Sequence, residues 1–577
     1  MTRHTTINMN SETKTCQNCR SQYVIEPEDF AFYEKIKVPP PTFCPKCRLQ
    51  RRLAFFKLTN LYKRKCDLCQ EEKISMYAPD SPYTVYCSKC WWSDAWNPLD
   101  YGVGYDFGRP FFEQYKELWQ KTPMLGLSID TPSTQTSPHN NHAGHLKNSY
   151  LLFHADYAED SAYGFSHANT KSVFDSSDIM MSELCYDMMN TYRSNRCVGG
   201  RNQITESLNC IFTRDCVGCQ SCFGSASIRG QKYNFFNQQL TKEEYQKRTK
   251  EYDLGSYEKY QATRKQAEEH WKKYSPKPYY EEFNTNTTGN YIFQSKNCRE
   301  CFEVVGAQDC KFMLLVAEPP TKDCYDIMSW GNNLELAYEC SNAGENASNI
   351  KFAQESGINL INAEYVKLST GGSNHFGCVS MKKGNFVIFN KKYPEKEYYE
   401  LRGKIINHMN EMPYVDRAGR VYKYGEFFPS ELSPWTYNET LANKFFPLSK
   451  TEAESRGYAW REEEKHEHKT TIKAADLPDH IKDVTENIFK ETIACSKCER
   501  GYRIIKMELD FLKKMNLPLP RECPFCRINQ KIDQWVKNMR VIDRACNKCG
   551  TSFQTAFDQE DAPIVYCKNC YLKEYIN

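Results

Sequence analysis

The stretch of residues 185–223, CYDMMNTYRSNRCVGGRNQITESLNCIFTRDCVGCQSCF, repeats a two-residue phrase at nearly even intervals. Each phrase is a small residue followed by a larger apolar one, and the copies are Cys185-Tyr186, Cys197-Val198, Cys210-Ile211 and Cys222-Phe223. Similar phrases recur upstream every 11 to 13 residues, at Ser149-Tyr150, Ala162-Tyr163 and Val173-Phe174. Short strands repeated this evenly predict a solenoid, because each turn can bury its apolar face only against its neighbours.

The length of one coil follows from the same spacing. Two consecutive phrases span about 24 residues, and we expect one coil of a right-handed parallel β-helix to contain both. Irregular stacked hairpins are the alternative.

The repeat region is duplicated. Residues 223–245 (FGSASIRGQKYNFFNQQLTKEEY) align without gaps with residues 376–398 (FGCVSMKKGNFVIFNKKYPEKEY), at an offset of 153 residues. Each copy continues into a charged stretch with helical periodicity, over about residues 242–274 and 395–409. The sequence therefore predicts two solenoid repeats, each followed by helix.

Cysteine pairs mark both ends of the chain. Sixteen of the 28 cysteines form CxxC pairs, in two blocks whose pairs are separated by 24, 18 and 17 residues in the first and 24, 19 and 17 in the second. The phrase CPxCR occurs in both blocks, at residues 44–48 and 523–527. The pairs are Cys16/Cys19, Cys44/Cys47, Cys66/Cys69 and Cys87/Cys90, then Cys495/Cys498, Cys523/Cys526, Cys546/Cys549 and Cys567/Cys570.

This spacing is typical of zinc binding. One CxxC pair supplies half of a tetrahedral Zn²⁺ shell and a second pair completes it, so the blocks predict about four structural Zn²⁺ ions per chain. Sequential pairing of neighbouring CxxC pairs is the simplest arrangement, and cross-braced pairing (first with third, second with fourth) is also compatible with the spacing. Thioredoxin-like redox pairs are disfavoured, because no βαβ pattern accompanies them.

Composition narrows the class of protein. A chain of 577 residues should form several domains, and its net charge of +3 excludes the strong overall positive charge of a dedicated nucleic-acid-binding protein. No apolar run is long enough to span a bilayer, and residues 1–15 lack an apolar signal core, so no membrane association is expected. Regular CxxC pairs favour metal over disulfides and hence a cytoplasmic location.

One local basic stretch stands out. Residues 46–65 contain eight Lys or Arg and no carboxylate, and three of the arginines share a face of the predicted helix at i, i+3, i+4 spacing. Guanidinium groups in a row suit phosphate binding, although a solvated helix face is the simpler alternative. The candidate nucleic-acid-binding residues are Arg48, Arg51, Arg52, Lys57, Lys63, Arg64 and Lys65.

Other polar groups have plainer interpretations. The twelve remaining cysteines lie in the predicted solenoid and should be buried thiols that stack from turn to turn. His139, His142 and His145 form an HxxHxxH string that we expect in a surface loop, with metal binding as the alternative. No nucleotide-binding or hydrolase motif is found. By analogy with other β-helices alone, a groove could use Asp175, Asp178, Asp187, Asp323 or Asp326.

Together these patterns predict a mostly β fold with some α: a duplicated parallel β-helix-like (solenoid) core flanked by N- and C-terminal double zinc-ribbon modules. The expected divisions are residues 1–95 (double zinc-ribbon module), 96–145 (helical and loop connector), 146–240 (first β-solenoid repeat), 241–290 (charged helical insertion), 291–412 (second repeat with a short helix), 413–490 (Pro/Tyr-rich connector and charged linker) and 491–577 (second double zinc-ribbon module).

Four phrases carry a resemblance. Residues 44–52 (CPKCRLQRR), 60–66 (NLYKRKC), 109–114 (RPFFEQ) and 424–429 (YGEFFP) resemble those of uncharacterised cysteine-rich zinc-ribbon proteins of small, uncultivated bacteria. The resemblance covers most of the chain. It implies zinc-ribbon modules and carries no activity over.

The expected function is that of a non-catalytic zinc-binding scaffold that binds nucleic acid, either RNA or the ribosome, through its basic N-terminal module. A protein that self-associates into a structural assembly is one alternative. An enzyme that acts on a polymer in a groove of the β-helix is another.

Overall fold

The structure is a computed structural model that describes residues 10–129, 133–134, 136–137, 139–462 and 469–576. The chain forms two compact units, and each unit is built from two separate stretches of sequence. Unit 1 consists of Met1–Gly126 and Glu281–Glu462, and unit 2 of Leu127–Tyr280 and Glu463–Asn577. Each cysteine-rich terminal module therefore shares a unit with the solenoid repeat that is more distant from it in sequence.

The N-terminal module contains small antiparallel hairpins, each followed by a helix, and the pattern occurs twice. A longer helix, predicted over residues 111–119, then closes the module. Its elements are β1 (Glu12–Thr15), β2 (Gln22–Ile25), α1 (Pro27–Ile36), α2 (Pro45–Leu53), β3 (Tyr62–Lys65), β4 (Glu72–Ser75), β5 (Val85–Tyr86), α3 (Ser88–Trp91), α4 (Phe111–Lys121) and β6 (Met124–Leu125).

The first solenoid repeat and the helices after it belong to unit 2. The charged stretch predicted as one helix forms two, α5 and α6. The elements are β7 (Asn141–Lys147), β8 (Tyr150–Glu159), β9 (Ala162–Phe174), β10 (Ser177–Met180), β11 (Glu183–Tyr186), β12 (Met189–Tyr192), β13 (Arg201–Thr205), β14 (Arg214–Val217), β15 (Ala226–Arg229), β16 (Asn234–Phe235), β17 (Gln238–Gln239), α5 (Lys242–Thr249) and α6 (Tyr257–Trp271).

The second repeat belongs to unit 1, where a single helix and a Pro/Tyr-rich segment follow it. Its elements are β18 (Glu281–Glu282), β19 (Thr285–Phe293), β20 (Lys296–Val305), β21 (Ala307–Lys311), β22 (Leu314–Val316), β23 (Thr321–Gly331), β24 (Leu334–Gly344), β25 (Ala347–Ser356), β26 (Leu360–Lys367), β27 (Gly372–Phe376), β28 (Asn385–Ile388), β29 (Lys391–Lys392), α7 (Glu395–Glu411), β30 (Tyr414–Val415), β31 (Val421–Tyr422), α8 (Leu441–Phe445) and α9 (Lys450–Ser455).

The C-terminal module repeats the plan of the N-terminal one within unit 2. Its elements are β32 (Ile472–Lys473), β33 (Ile493–Ala494), β34 (Gly501–Tyr502), α10 (Lys506–Met515), α11 (Pro524–Asn538), β35 (Ile542–Ala545), β36 (Ser552–Thr555) and α12 (Lys568–Tyr575). Short 3₁₀ turns occupy Pro98–Tyr101, Ser430–Leu432, Tyr437–Glu439, Ala474–Asp476, Ile481–Asp483 and Glu486–Lys490.

The repeats form a β-solenoid of about 21 turns, which confirms the predicted fold class. The predicted coil of about 24 residues is wrong, because each turn contains only 12 or 13. Ser177 pairs in parallel with Phe165 and with Met189, twelve residues away on either side. In the second repeat, Cys340 pairs with Ile327 and Ala353, each thirteen residues away. One small-large phrase is therefore a complete turn.

A three-residue period explains why so short a turn closes. Every third residue has a positive φ, as at Asp178 (48°), Met181 (49°), Leu184 (55°) and Asp187 (55°), and each such residue bends the strand. Four bends therefore fit within twelve residues. Because Asn, Asp and Gly adopt this conformation most readily, they are frequent at these corners.

The residue after each corner points into the coil. Ser176, Ile179, Ser182 and Cys185 are the inward side chains of one turn, and each is at most 3% exposed. Four inward side chains per turn leave a narrow interior, which favours small residues. Polar ones are satisfied along the axis, as where the Ser194 backbone N–H donates to Ser182 Oγ at 3.1 Å.

The solenoid cysteines occupy these inward positions. Residues 185, 197, 210 and 222 form one column along the axis, and all twelve solenoid cysteines are buried and unbridged. Cys185 Sγ, for example, donates to the Glu183 carbonyl at 3.4 Å. The prediction of buried, stacked thiols is confirmed.

Helices of the terminal modules cover outward faces of the solenoid inside each unit. In unit 1 the Phe32 ring of α1 stacks on Tyr325, with ring centroids 3.8 Å apart. In unit 2 Phe511 of α10 stacks on Phe174 at 4.4 Å, and Trp535 of α11 meets Phe165 at 5.0 Å. No helix in the described part of the chain is long and apolar enough to cross a membrane.

Candidate metal centres

Four clusters of four cysteines are the outstanding chemical feature of the molecule. Within each cluster the four Sγ atoms all lie within 4.8 Å of one another, and neighbouring CxxC pairs supply them. Sequential pairing is thus the arrangement in the structure, and cross-braced pairing is not. The clusters are Cys16/Cys19/Cys44/Cys47, Cys66/Cys69/Cys87/Cys90, Cys495/Cys498/Cys523/Cys526 and Cys546/Cys549/Cys567/Cys570.

One local design builds all four clusters. The first CxxC pair lies in a hairpin, as where Cys16 directly follows β1, and the second pair begins a helix, as where Cys44 is the N-cap of α2. The residue after the first pair has a positive φ in every case: 64° at Arg20, 62° at Gln70, 60° at Glu499 and 74° at Gly550. This left-handed residue turns the chain back around the thiols.

Backbone N–H groups point at the sulfurs. The Cys44 N–H lies 3.3 Å from Cys16 Sγ, and the corresponding distances from Cys87 to Cys66, from Cys523 to Cys495 and from Cys567 to Cys546 are 3.2 Å. Burial alone would raise the pKa of Cys66 and Cys495, but these hydrogen bonds lower both to about 7. The sites are therefore arranged to stabilise thiolate, which is the form that binds metal.

The donor set limits the metal. Four thiolates in a compact group suit a tetrahedral thiophilic ion, either Zn²⁺ or iron, and leave no open position for a substrate. A closed shell of this kind is typical of a structural site rather than a catalytic one.

The arginines of α2 lie elsewhere than the sequence suggested. Arg48, Arg51 and Arg52 are at most 2% exposed, so this face of α2 is not available to a phosphate backbone. Arg48 Nε donates to Asp326 at 2.9 Å, and Arg52 Nη2 lies 3.1 Å from the same carboxylate. The expected phosphate-binding face is therefore corrected to a buried ion-pair face.

Arg51 is the most heavily engaged of the three. Its Nη2 donates to both oxygens of Glu339 at 2.8 Å, and its Nη1 donates to Glu426 at 3.1 Å. Burial raises the pKa of the Glu339 carboxyl although Arg51 and Arg52 act to lower it. Charges so deeply desolvated depend on their partners, and removing one partner is far costlier than removing a surface charge.

Lys57 is also buried, so the expectation that it binds phosphate is corrected too. It is 2% exposed, and its Nζ donates to Glu439 at 3.0 Å. Burial lowers the pKa of the Lys57 ammonium to about 8, and Glu439 opposes the shift only in part. The neighbouring rings of Phe55 and Phe56 are 0% exposed and cannot stack on bases.

The remaining basic candidates lie on β3. Lys63 and Lys65 are exposed, whereas Arg64 donates to the Ala78 carbonyl at 3.3 Å and to Asp67 at 3.0 Å. Lys63 lies 3.8 Å from Glu72 on the paired strand. Two exposed lysines thus survive from the seven candidates.

The C-terminal module reproduces the buried ion pairs. Arg527, at the position of Arg48 in the CPxCR phrase, bonds to Asp175 of the first repeat and to Glu508 at 3.0 Å. Lys531, one turn further along α11, bonds to Asp187. The same kind of contact therefore joins a metal-binding helix to a solenoid in both units.

The carboxylate partners were missed by the sequence analysis. Asp175 and Asp187 lie at corners exactly one turn apart, as do Asp326 and Glu339, with φ values of 50°, 55°, 61° and 43°. Acidic residues that recur at the turn length would have been recognisable as a column once the 12- to 13-residue turn was known.

The histidine string does not form a metal site in the part of the chain that the structure describes. His145 Nδ1 lies 2.8 Å from Asp156, and its ring stacks on Tyr157 at 4.2 Å. His142 and His145 belong to β7 rather than to a loop, so the expected surface loop is corrected to an edge strand.

The carboxylates considered for a polymer groove have structural partners. In addition to Asp175, Asp187 and Asp326, Asp178 accepts a hydrogen bond from Asn190, and Asp323 pairs with Lys35 at 2.7 Å. Their positions are accounted for by packing contacts.

Comparison with known proteins adds no family. No protein-family model matches the chain, and no curated protein matches it. Among solved structures, one described as a "putative acetyltransferase" from Desulfovibrio desulfuricans G20 is 10% identical and aligns over 48% of this chain and 82% of its own, with a TM-score of 0.08. So low a score carries no argument about fold or activity.

Proposed function

We propose that the protein is a non-catalytic scaffold in which four Zn²⁺ ions hold the terminal modules folded against a long β-solenoid. Zinc is favoured over iron because the four sites are separate single-ion quartets that repeat one knuckle-and-helix design. A chain with 28 cysteines and no disulfide among them suits a reducing compartment, and we propose the cytoplasm.

One observation carries the proposal. Helix α2 begins at the metal-ligand position Cys44, and one turn later it buries Arg48 and Arg51 against solenoid carboxylates. The metal therefore fixes the start of the helix whose next residues contact the solenoid. Helix α11 has the same arrangement, with Cys523 at its start and Arg527 one turn on.

Metal counting tests the proposal. We expect four zinc atoms per chain in elemental analysis, and we expect a chelator to remove them with loss of α2 and α11 contacts to the solenoid. Cobalt substitution should give the absorption of tetrathiolate Co²⁺. Iron in place of zinc in freshly purified protein, or full retention of structure without metal, would contradict the assignment.

Paired serine substitutions add a test of ligand grouping. Cys16→Ser with Cys44→Ser removes ligands from one cluster and should abolish one metal site, whereas Cys16→Ser with Cys66→Ser should abolish two. A cross-braced module would give the reverse result, so the two counts decide between the arrangements.

Binding of RNA or the ribosome stays a prediction, and it now depends on Lys63 and Lys65. Purified protein should then carry nucleic acid that salt removes, and Lys63→Glu with Lys65→Glu should abolish the carry-over. Large, salt-resistant particles in light scattering would instead favour self-association.

A further inference from the structure

Unit 2 contains an open cavity at the end of its solenoid. The cavity has a volume of about 560 Å³ and lies between the β16–β17 hairpin and helices α5 and α6. Phe235 and Phe236 form an aromatic side, and Arg248, His270 and Lys273 are among the polar residues that line it. An aromatic wall with cationic groups around it suits a ligand that carries both a ring and a negative charge.

The charges at the cavity are not neutralised locally. The Arg248 guanidinium lies 5.6 Å from the Phe235 ring centroid and donates to the neutral Gln238 amide at 3.1 Å. Lys273 takes part in no ion pair with the residues that the structure describes, and Glu269 is paired with Lys272 at 2.8 Å. The balance at this site is positive.

The internal duplication supplies a counterpart for comparison. The 153-residue offset places Phe236 opposite Phe389, and the β28–β29 hairpin of unit 1 has the same register as β16–β17. Both hairpins turn through a pair of left-handed residues, with φ of 46° at Phe236 and 48° at Phe389. The two sites therefore start from the same backbone.

In unit 1 the counterpart hairpin is covered by an extended segment, residues 102–107 (GVGYDF). The Val103 N–H donates to the Phe389 carbonyl at 3.0 Å. Tyr105 places its ring 5.5 Å from that of Phe389 and its hydroxyl 2.8 Å from His408 Nδ1. Gly102 approaches closely, since a Cβ there would lie 2.5 Å from the Asn390 carbonyl oxygen.

The geometry points to a peptide-binding site in unit 2. We propose that the cavity binds an extended peptide segment of a partner protein, in which a small residue is followed by an aromatic residue and then a carboxylate, as in residues 102–107. Its aromatic ring would pack on Phe236, and its carboxylate would lie by Arg248 and Lys273. Arg248 replaces Leu401 of the unit 1 counterpart, so the preference for negative charge belongs to unit 2.

A labelled synthetic peptide with the sequence of residues 101–108 (YGVGYDFG) tests the site on the full-length protein. We expect saturable binding in fluorescence anisotropy, weakened at least about tenfold by Arg248→Glu because the variant removes an attractive charge and adds a repulsive one. Lys247→Glu is the matched control, since it makes the same charge change on α5 outside the cavity lining and should leave affinity within about twofold.

Peptide variants separate this site from non-specific attraction. Replacing the second tyrosine of the peptide by alanine, or its aspartate by lysine, should each weaken binding at least about tenfold. Phe236→Ala should do the same if the protein retains its circular dichroism spectrum, and Arg248→Glu decides the matter if it does not. Absence of saturable binding, equal affinity of the peptide variants, or insensitivity to Arg248→Glu would overturn the proposal. Displacement of the peptide by AMP at micromolar concentration would also overturn it, in favour of a nucleotide site.

Discussion

Arg51 shows how a single side chain can join a metal module to the solenoid. It is 2% exposed and lies between Glu339 of β24 and Glu426 of the segment before α8. Two carboxylates share one guanidinium, while Arg52 approaches Glu339 at 3.7 Å and supplies further positive charge. The group is stable only as a whole, because each charge has lost its hydration.

Removing the Arg51 charge should therefore destabilise the protein strongly. We expect Arg51→Met to lower the free energy of unfolding by about 3–5 kcal/mol, since it leaves buried carboxylates unpaired. Lys46→Met on the exposed side of the same helix should change it by no more than about 0.5 kcal/mol. Urea denaturation of both variants measures the difference, and equal midpoints would show that the buried ion pairs do not stabilise the fold.

Two histidines inside the coils make stability depend on pH. His167 and His375 are at most 2% exposed, and burial lowers the pKa of each to about 4, although a hydrogen bond to a carbonyl acts to raise it. The unfolded value is about 6.5, so the neutral form contributes stability that is complete above pH 6.5 and is lost as pH falls toward 4.

Acidification should thus affect the wild type more than a variant that lacks one of these groups. Between pH 7 and pH 5 we expect each histidine to account for about 2 kcal/mol of lost stability, which His375→Gln should abolish for that site. Metal ligands are protonated in both proteins, so the difference between their urea midpoints isolates the histidine. Parallel losses would contradict the assigned burial effect.

At the scale of elements, the solenoid depends on its corners. Met181 has φ of 49° and is 48% exposed, so packing hardly affects the choice of residue there. An asparagine adopts this conformation at little cost, whereas a β-branched residue is strained.

Exchanges at one corner test this directly. Met181→Asn should raise the free energy of unfolding by up to about 1 kcal/mol, and Met181→Val should lower it by about 1 kcal/mol or more. Lys171→Val, at an exposed and extended position of β9, should be nearly neutral because strands tolerate branched residues. Thermal unfolding of the three variants gives the comparison, and a similar effect of valine at both positions would rule out a conformational cause.

The elements also show what the sequence could and could not reveal. The cysteine spacing predicted the quartets, because CxxC pairs are local and zinc geometry is fixed. The small-large phrases predicted the solenoid but overestimated its coil twofold, since parallel β-helices with longer coils set the expectation. The burial of Arg48 and Arg51 was out of reach, because helical period identifies a face but not its neighbour. Their partners lie 278 to 375 residues further along the chain.

At the scale of the molecule, each unit joins distant parts of the sequence. In unit 2 the C-terminal module contacts the first repeat through α11, where Arg527 and Lys531 bond to Asp175 and Asp187. Trp535 adds an apolar contact to Phe165. Contacts across such sequence distances mean that the module should stay attached by packing rather than by chain connection.

A cleavable chain tests this organisation. With residues 463–468 replaced by a protease site, the fragment that begins at Lys469 should co-elute with the rest of the protein in gel filtration after cleavage, since buried ion pairs and aromatic contacts hold α11 on the solenoid. Asp175→Ala with Asp187→Ala should release it, because Arg527 and Lys531 would then be buried without partners. Asp156→Ala with Glu183→Ala removes two more exposed carboxylates of the same repeat and should not. A chelator should release the fragment from the unmodified interface, because α11 begins at the metal-ligand position Cys523. Release without either change would show that the C-terminal module is only tethered.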